Sequence, residues 1–198
     1  MESLCKSLRE YFKHLIKHNS AINELSRKSE KPIDALKSLA EQHRFVAKAE
    51  LENLPISRVP GIKDKLLFKI EASIDEEVVE LEKIILECKG NNALLEKKLC
   101  NVKKCLEKAG DLTKLDDRKL LCFGSASCPS VMEMVEWADD SWRLFHALYL
   151  KMSNVILTVQ NKDDREIMDL SRHYLHSEER KVFLERVFAM TRKFIDDT

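Results

Sequence analysis

The chain has 198 residues, with Lys+Arg 34 balanced by Asp+Glu 34, and only four glycines and four prolines. Zero net charge excludes a general electrostatic grip on nucleic acid or on an anionic membrane, and leaves room only for local patches. With 34% charged and 44% hydrophobic residues, the composition is that of an all-helical chain long enough to bury a core.

The first predicted element is a helix from about Ser3 to Arg27. Leu4, Leu8, Tyr11, Leu15, His18, Ile22 and Leu25 alternate steps of four and three, which lays one apolar seam along it. Lys31-Pro32 is expected to end this helix, because proline disfavours a helical residue before it. Pro32 then suits the first turn of a second helix through Leu36, Leu39, His43, Val46 and Ala47. Residues 1–52 read in this way form a helical hairpin. Leu54-Pro55-Ile56-Ser57-Arg58-Val59-Pro60-Gly61 follows as the clearest irregular connector.

A long helix is expected over 62–110, with a short helical turn from Lys63 to Ile70 ahead of its main body. Its seam reads Ile74, Val78, Leu81, Ile85, Cys88, Asn92, Leu95, Leu99, Val102 and Leu106. Asp75, Glu76, Glu77, Glu80 and Glu82 crowd its start, and Lys97, Lys98, Lys103, Lys104 and Lys108 crowd its end, in the sense that complements the helix dipole. Gly90 costs about 1 kcal/mol relative to alanine in a helix interior. Asn92 falls on the seam, where a buried asparagine fixes register or partner choice. Gly90-Asn91-Asn92 therefore leaves a break of this helix open as an alternative.

Gly110 is expected to close the long helix. Residues 111–128 carry a weak helical turn around Leu115 to Leu121 and a loop at Gly124-Ser125-Ala126-Ser127. Another long helix begins behind Pro129. Its seam runs Val131, Val135, Ala138, Trp142, Phe145, Tyr149, Met152, Ile156 and Val159, about eight turns. Asn161-Lys162-Asp163-Asp164 ends or bends it, and Ile167 and Leu170 suggest a short helix. The last helix is capped by His176 or Ser177 and buries Phe183, Leu184, Val187, Phe188, Thr191 and Ile195. No strand pattern competes. The fold class expected is all-α: an elongated bundle of long antiparallel, coiled-coil-like helices, one domain over 1–198, with 129–198 as its C-terminal helices.

Chemistry is sparse. The N-terminus has no apolar core of signal-peptide length, so Cys5, Cys88, Cys100, Cys105, Cys122 and Cys128 are expected as free thiols in the cytoplasm or nucleus. Cys100 and Cys105, or Cys122 and Cys128, do not fit the close cysteine pairs of structural zinc. His173 and His176 lack further ligands, and His14, His18, His43 and His146 lack a nucleophile. No phosphate loop or nucleophile elbow is present. No catalytic residue, cofactor or metal is expected. The Lys97–Lys108 strip leaves an RNA- or DNA-binding helical module as the alternative function. Trp142 lies on the seam. Trp137 sits about 100° away beside Glu136, which suits either an interface anchor or a wide core face.

At Pro129-Ser130-Val131, Met134, Glu136-Trp137 and Tyr149-Leu150-Lys151, the sequence resembles the AIRIM family of ribosome maturation factors. Leu39-Ala40-Glu41-Gln42, Leu54-Pro55, Pro60 and Ile62-Lys63-Asp64-Lys65-Leu66 agree in order and distance. Cys128 stands where the family tends to carry serine, which removes one helix cap, and the Pro55–Pro60 connector is one residue shorter. The resemblance implies a non-catalytic adaptor. Its partners would be a related helical subunit resembling CINP and an AAA+ ATPase of the spermatogenesis-associated type. Its work would be recycling assembly factors from large-subunit pre-ribosomes, with a further role in replication-linked protein turnover. Contact with the pre-ribosomal particle would be indirect, in cytoplasm and nucleus, with no membrane and no small-molecule substrate. Pro129, Ser130, Met134, Glu136, Trp137, Tyr149 and Lys151 are the expected partner-binding residues. Val131, Val135, Ala138 and Trp142 are the expected core.

Overall fold

A computed structural model describes residues 1–50, 55, 59–109, 124, 129–160 and 178–196. The expectations placed on Cys122, Cys128, Leu115 to Leu121, Asn161 to Asp164, Ile167, Leu170, His173, His176 and Ser177 lie outside these residues. The described chain is all-α, a helical bundle with no strand among the described residues. Its helices are α1 (Glu2–Lys48), α2 (Ile62–Ala109), α3 (Val131–Gln160) and α4 (Glu178–Asp196).

Helix α1 corrects the hairpin expected over 1–52: it is one helix of 47 residues with Pro32 inside it. The first seven seam positions, Leu4 through Leu25, are all buried. The seam then continues through Ser29, Ile33, Leu36 and Ala40, again by fours and threes, and Pro32 is itself buried. Pro32 has no N–H for the Lys28 carbonyl, and a proline inside a helix costs about 3 kcal/mol. Fully burying one leucine or isoleucine contributes about 1.5–3 kcal/mol. Ile33 and Leu36, both almost completely buried, therefore offset the proline.

Helix α2 runs for 48 residues without interruption, so no break occurs at Gly90–Asn92. Gly90 is solvent-exposed, and a Cβ there would meet nothing within 4 Å. The helix persists because Leu81, Ile84, Cys88, Leu95 and Leu99 are buried on both sides of it. Ile84 takes the seam place expected for Ile85, a step of three from Leu81 and of four to Cys88. Gly61, at φ 65°, supplies the left-handed residue before the helix, and its carbonyl accepts from Lys65 N at 3.1 Å. The extra turn expected from Lys63 to Ile70 is the first part of α2.

Compactness divides the chain into two units. The first gathers Met1–Asn23, Cys88–Tyr149 and Ser177–Thr198. Within it, Ser3 meets Cys105 (Oγ···Sγ 3.5 Å) and Glu10 meets Lys98 (3.1 Å), so α1 and α2 run antiparallel there. Tyr11 pairs with Ala138 and Ser141, and His18 with Phe145, so α1 and α3 run parallel. Helix α4 is tied to α1 through Arg9, whose Nε donates to the Phe194 carbonyl at 3.0 Å and whose guanidinium lies 4.9 Å from the Phe194 ring centroid. Leu184, Val187, Thr191, Phe194 and Ile195 form the buried side of α4, whereas Phe183 and Phe188 are only half-buried.

The second unit gathers Glu24–Glu87 and Leu150–His176. Here α1 and α2 are again antiparallel. His43 Nε2 stands 3.5 Å from Glu71, and Lys63 Nζ donates to the Ala49 carbonyl at 3.2 Å. Its core draws Ile33, Leu36 and Ala40 from α1, Ile70, Ile74, Val78, Leu81 and Ile84 from α2, and Met152, Ile156 and Val159 from α3.

Candidate interaction surface

The first turn of α3 is set by Ser130. Its carbonyl accepts from Met134 N at 3.1 Å, and its hydroxyl accepts from Glu133 N at 3.2 Å. Glu133 Oε2 in turn accepts from both Ser130 N and Ser130 Oγ at 2.8 Å. This reciprocal arrangement is a capping box at the usual Ser-x-x-Glu spacing, with the Ser130 hydroxyl adding one further bond to the Glu133 carboxylate. The Ser130 amide, then the Ser130 hydroxyl, hold the Glu133 carboxyl below its ordinary range, with Arg186 contributing less. Ser130 is thus the cap, and serine at position 128 is not needed for one. Ser130 is buried, which corrects its expected place on a partner-facing surface.

Met134 requires the same correction. It is 1% exposed and packs in the core with Val131, Val135 and Ala138, so a partner cannot reach it without opening the first unit. The spacing explains this: Met134, Ala138, Ser141 and Phe145 are all buried and step by four, three and four, one position off the Val131–Val135–Trp142 row. The buried stripe is therefore wider than a two-position seam. Trp142, expected in the core, is only half-buried and stacks on His146 with centroids 5.0 Å apart and planes 12° apart. His146 is 6.2 Å from Tyr149, centroid to centroid. Of the expected partner-binding residues, Pro129, Trp137 and Tyr149 are half-buried and Glu136 and Lys151 are exposed. The helix thus leaves Glu136 exposed and Trp137 half-buried beside it, and places His146, which the sequence did not single out as a contact residue, between the half-buried Trp142 and Tyr149.

Charge on this helix is fixed by α2. Asp139 Oδ1 takes Lys103 Nζ at 2.6 Å, and Asp139 Oδ2 takes Arg143 Nε at 2.7 Å. The hydrogen bond from Lys103, followed by the charges of Lys103 and Arg143, holds the Asp139 carboxyl low against its partial burial. Lys98 pairs with Glu10. Two lysines of the Lys97–Lys108 strip are thus engaged with neighbouring helices, which weakens the strip as a phosphate-binding face. Pairs this exposed contribute at most about 1 kcal/mol each.

Beneath the surface lies a polar core that the sequence only hinted at. The Tyr11 hydroxyl donates to the Ala138 carbonyl at 2.6 Å and lies 2.8 Å from Ser141 Oγ; burial raises its pKa far above the usual phenol value. His18 is buried edge-on against the Phe145 ring at 4.4 Å. Burial pushes its pKa down to about 4, and His14 adds to this. The Asn92 side chain, short of a hydrogen bond to His18, acts weakly the other way. His14 is also lowered, by burial and then by Lys98 and Lys17. No group of three or more His, Cys, Asp or Glu is placed to hold a metal among the described residues. Cys5, Cys88, Cys100 and Cys105 are free thiols. No helix of the described residues is long and apolar enough to cross a membrane.

Comparison with known proteins gives this arrangement a context. The CA109-like family model, described as "Ribosome biogenesis protein C1orf109-like", matches residues 2–191. An "AFG2-interacting ribosome maturation factor" from Danio rerio is 26% identical over 168 residues, covering 84% of this chain and 81% of that protein. A match running from the start of α1 into α4 takes in all four helices, and on it the chain belongs to the C1orf109-like family of ribosome biogenesis proteins.

Proposed function

We propose that this protein is a non-catalytic helical adaptor that brings an AAA+ ATPase to ribosome precursors. The observation that carries the reading is the family match over residues 2–191, together with a relative whose name states that it interacts with AFG2 and matures ribosomes. The chemistry of the described surface is of the same kind: exposed carboxylates, half-buried aromatics and apolar helix faces, the materials of protein–protein contact.

In this reading ATP hydrolysis belongs to the partner, an ATPase of the spermatogenesis-associated type. This chain positions it on assembly factors to be recycled from large-subunit precursors, in cytoplasm and nucleus. A second helical subunit resembling CINP completes the adaptor, and the same assembly serves protein turnover at replication forks. Pro129, Glu136, Trp137, Tyr149 and Lys151 are the residues of α3 assigned to partner contact. Trp137 is the anchor, because a half-buried tryptophan beside a charged rim has the composition of an interface hot spot.

The test is reconstitution. Purified chain, a candidate AAA+ ATPase and the second helical subunit should co-elute, and ATPase-driven release of an assembly factor from pre-ribosomes should require this chain. Release at the same rate without it would remove the adaptor role.

A further inference from the structure

Helix α2 carries a second apolar row on the side away from its buried seam. In the second unit, Ile70, Ile74, Val78, Leu81 and Ile84 face the core. Phe68, Ala72, Asp75, Val79, Glu82 and Leu86 are all exposed and follow one another by steps of four and three. Phe68 is 73% exposed, Val79 47% and Leu86 69%. Isolated apolar residues on a surface are ordinary; three at heptad spacing along one helix form a seam that a second helix fits.

From Asp75 to Glu87 the charges around that row are predominantly acidic. Asp75 lies in it, and Glu76, Glu80 and Glu87 flank it, all exposed. Of the two basic residues between Phe68 and Leu86, Lys83 is paired with Glu80 at 2.6 Å, and Lys69 stands at the Phe68 end, outside the acidic stretch from Asp75 to Glu87. A negative field of this kind repels RNA and anionic lipid and attracts cationic side chains. It also disfavours a second copy of the same segment, because a matching helix would bring carboxylates against carboxylates along the row.

We propose that the Phe68–Leu86 face of α2 is a docking site for a basic amphipathic helix of a partner protein. Leucine or isoleucine side chains of that helix would pack on Phe68, Val79 and Leu86, and lysine or arginine would lie against Asp75, Glu76 and Glu80. The inference rests on the adaptor reading, and it specifies the chemistry of one partner that such an adaptor holds.

The experiment uses the full chain and two labelled synthetic helices with the same leucine stripe. One carries lysine at the flanking positions and the other glutamate. Fluorescence anisotropy should show the lysine helix binding at least tenfold more tightly than the glutamate helix, with affinity falling as salt rises. Leu86→Ser and Val79→Ser should weaken it at least tenfold while the far-ultraviolet circular dichroism and thermal midpoint stay unchanged, since both side chains are exposed. Asp75→Lys with Glu76→Lys should reverse the preference between the two helices. Equal binding of both helices, no binding, or binding unaffected by Leu86→Ser would overturn the proposal, as would a concentration-dependent dimer abolished by Leu86→Ser. Capture of the AAA+ ATPase by the same variants separates the two readings. Failure of the lysine helix with the ATPase still captured removes this face and leaves the adaptor. Loss of ATPase capture by the wild-type chain, with the lysine helix still bound, removes the adaptor and keeps the face.

Discussion

The Asn92 side-chain amide donates to the Phe145 carbonyl at 3.1 Å from a buried position on the α2 seam. An asparagine here costs burial of a polar group, and its hydrogen bond exists in only one register of α2 against α3. Asn92→Ala removes the donor and leaves the Phe145 carbonyl without it, so a loss of about 1–3 kcal/mol is expected in denaturant unfolding. An unchanged midpoint would mean that the bond fixes nothing.

Acid should unfold the first unit earlier than its carboxylates alone require. His18 has a folded-state pKa of about 4 against an ordinary value of 6.5, and His14 is lowered in the same direction. A lowered base binds fewer protons folded than unfolded, so stability is complete above pH 6.5 and is lost as pH falls from there toward 4. For His18 the full effect is on the order of 3 kcal/mol. The lowered carboxyls of Glu133 and Asp139 lose their contribution at lower pH, beneath the ordinary carboxylate range. His18→Leu should therefore flatten the stability profile between pH 6.5 and 4 and leave the steeper fall beneath it. A profile identical to wild type in that window would contradict the buried neutral histidine.

The α3 cap offers a local test. Ser130→Ala deletes the hydroxyl that accepts from Glu133 N and donates to Glu133 Oε2, and should cost about 0.5–2 kcal/mol. Ser130→Asp keeps an acceptor but sets a second carboxylate against Glu133, so it should recover only part of the loss. Equal stability of all three chains by thermal unfolding would show that the cap is idle.

Much of the fold was legible because burial follows period. Every seam residue named for the start of α1, from Leu4 to Leu25, is buried, and on α3 only Trp142 and Tyr149 of the named seam are not. What failed was local propensity set against tertiary burial. Pro32 reads as a stop, yet the apolar register on both sides of it keeps α1 whole. At Gly90 and Asn92, by contrast, the main reading of one long helix holds, and only the alternative of a break is set aside. The candidate surface was less legible. Met134 and Trp137 are neighbours in sequence with similar apolar character, and only the width of the buried stripe separates core from surface. The Tyr11–Ala138–Ser141 hydrogen bonds join residues over 120 positions apart, so no spacing could announce them.

That separation gives a paired prediction. Met134→Ala should destabilise the chain by about 2–5 kcal/mol through the cavity it leaves. Its effect on partner binding should vanish once the folded fraction is accounted for. Trp137→Ala should instead cost partner affinity, about 2 kcal/mol or more for an anchor tryptophan, with a smaller change in unfolding midpoint. Calorimetric binding to the purified partner beside denaturant unfolding reads both. The opposite pattern would exchange their roles.

The adaptor role is tested most directly by affinity capture of the full-length tagged chain, with quantitative mass spectrometry against a tag-only control. An AAA+ ATPase should be enriched in near-stoichiometric amount with a second helical subunit, and Trp137→Ala should reduce the ATPase at least tenfold at equal bait. A folded, soluble bait that enriches no AAA+ ATPase would contradict the account.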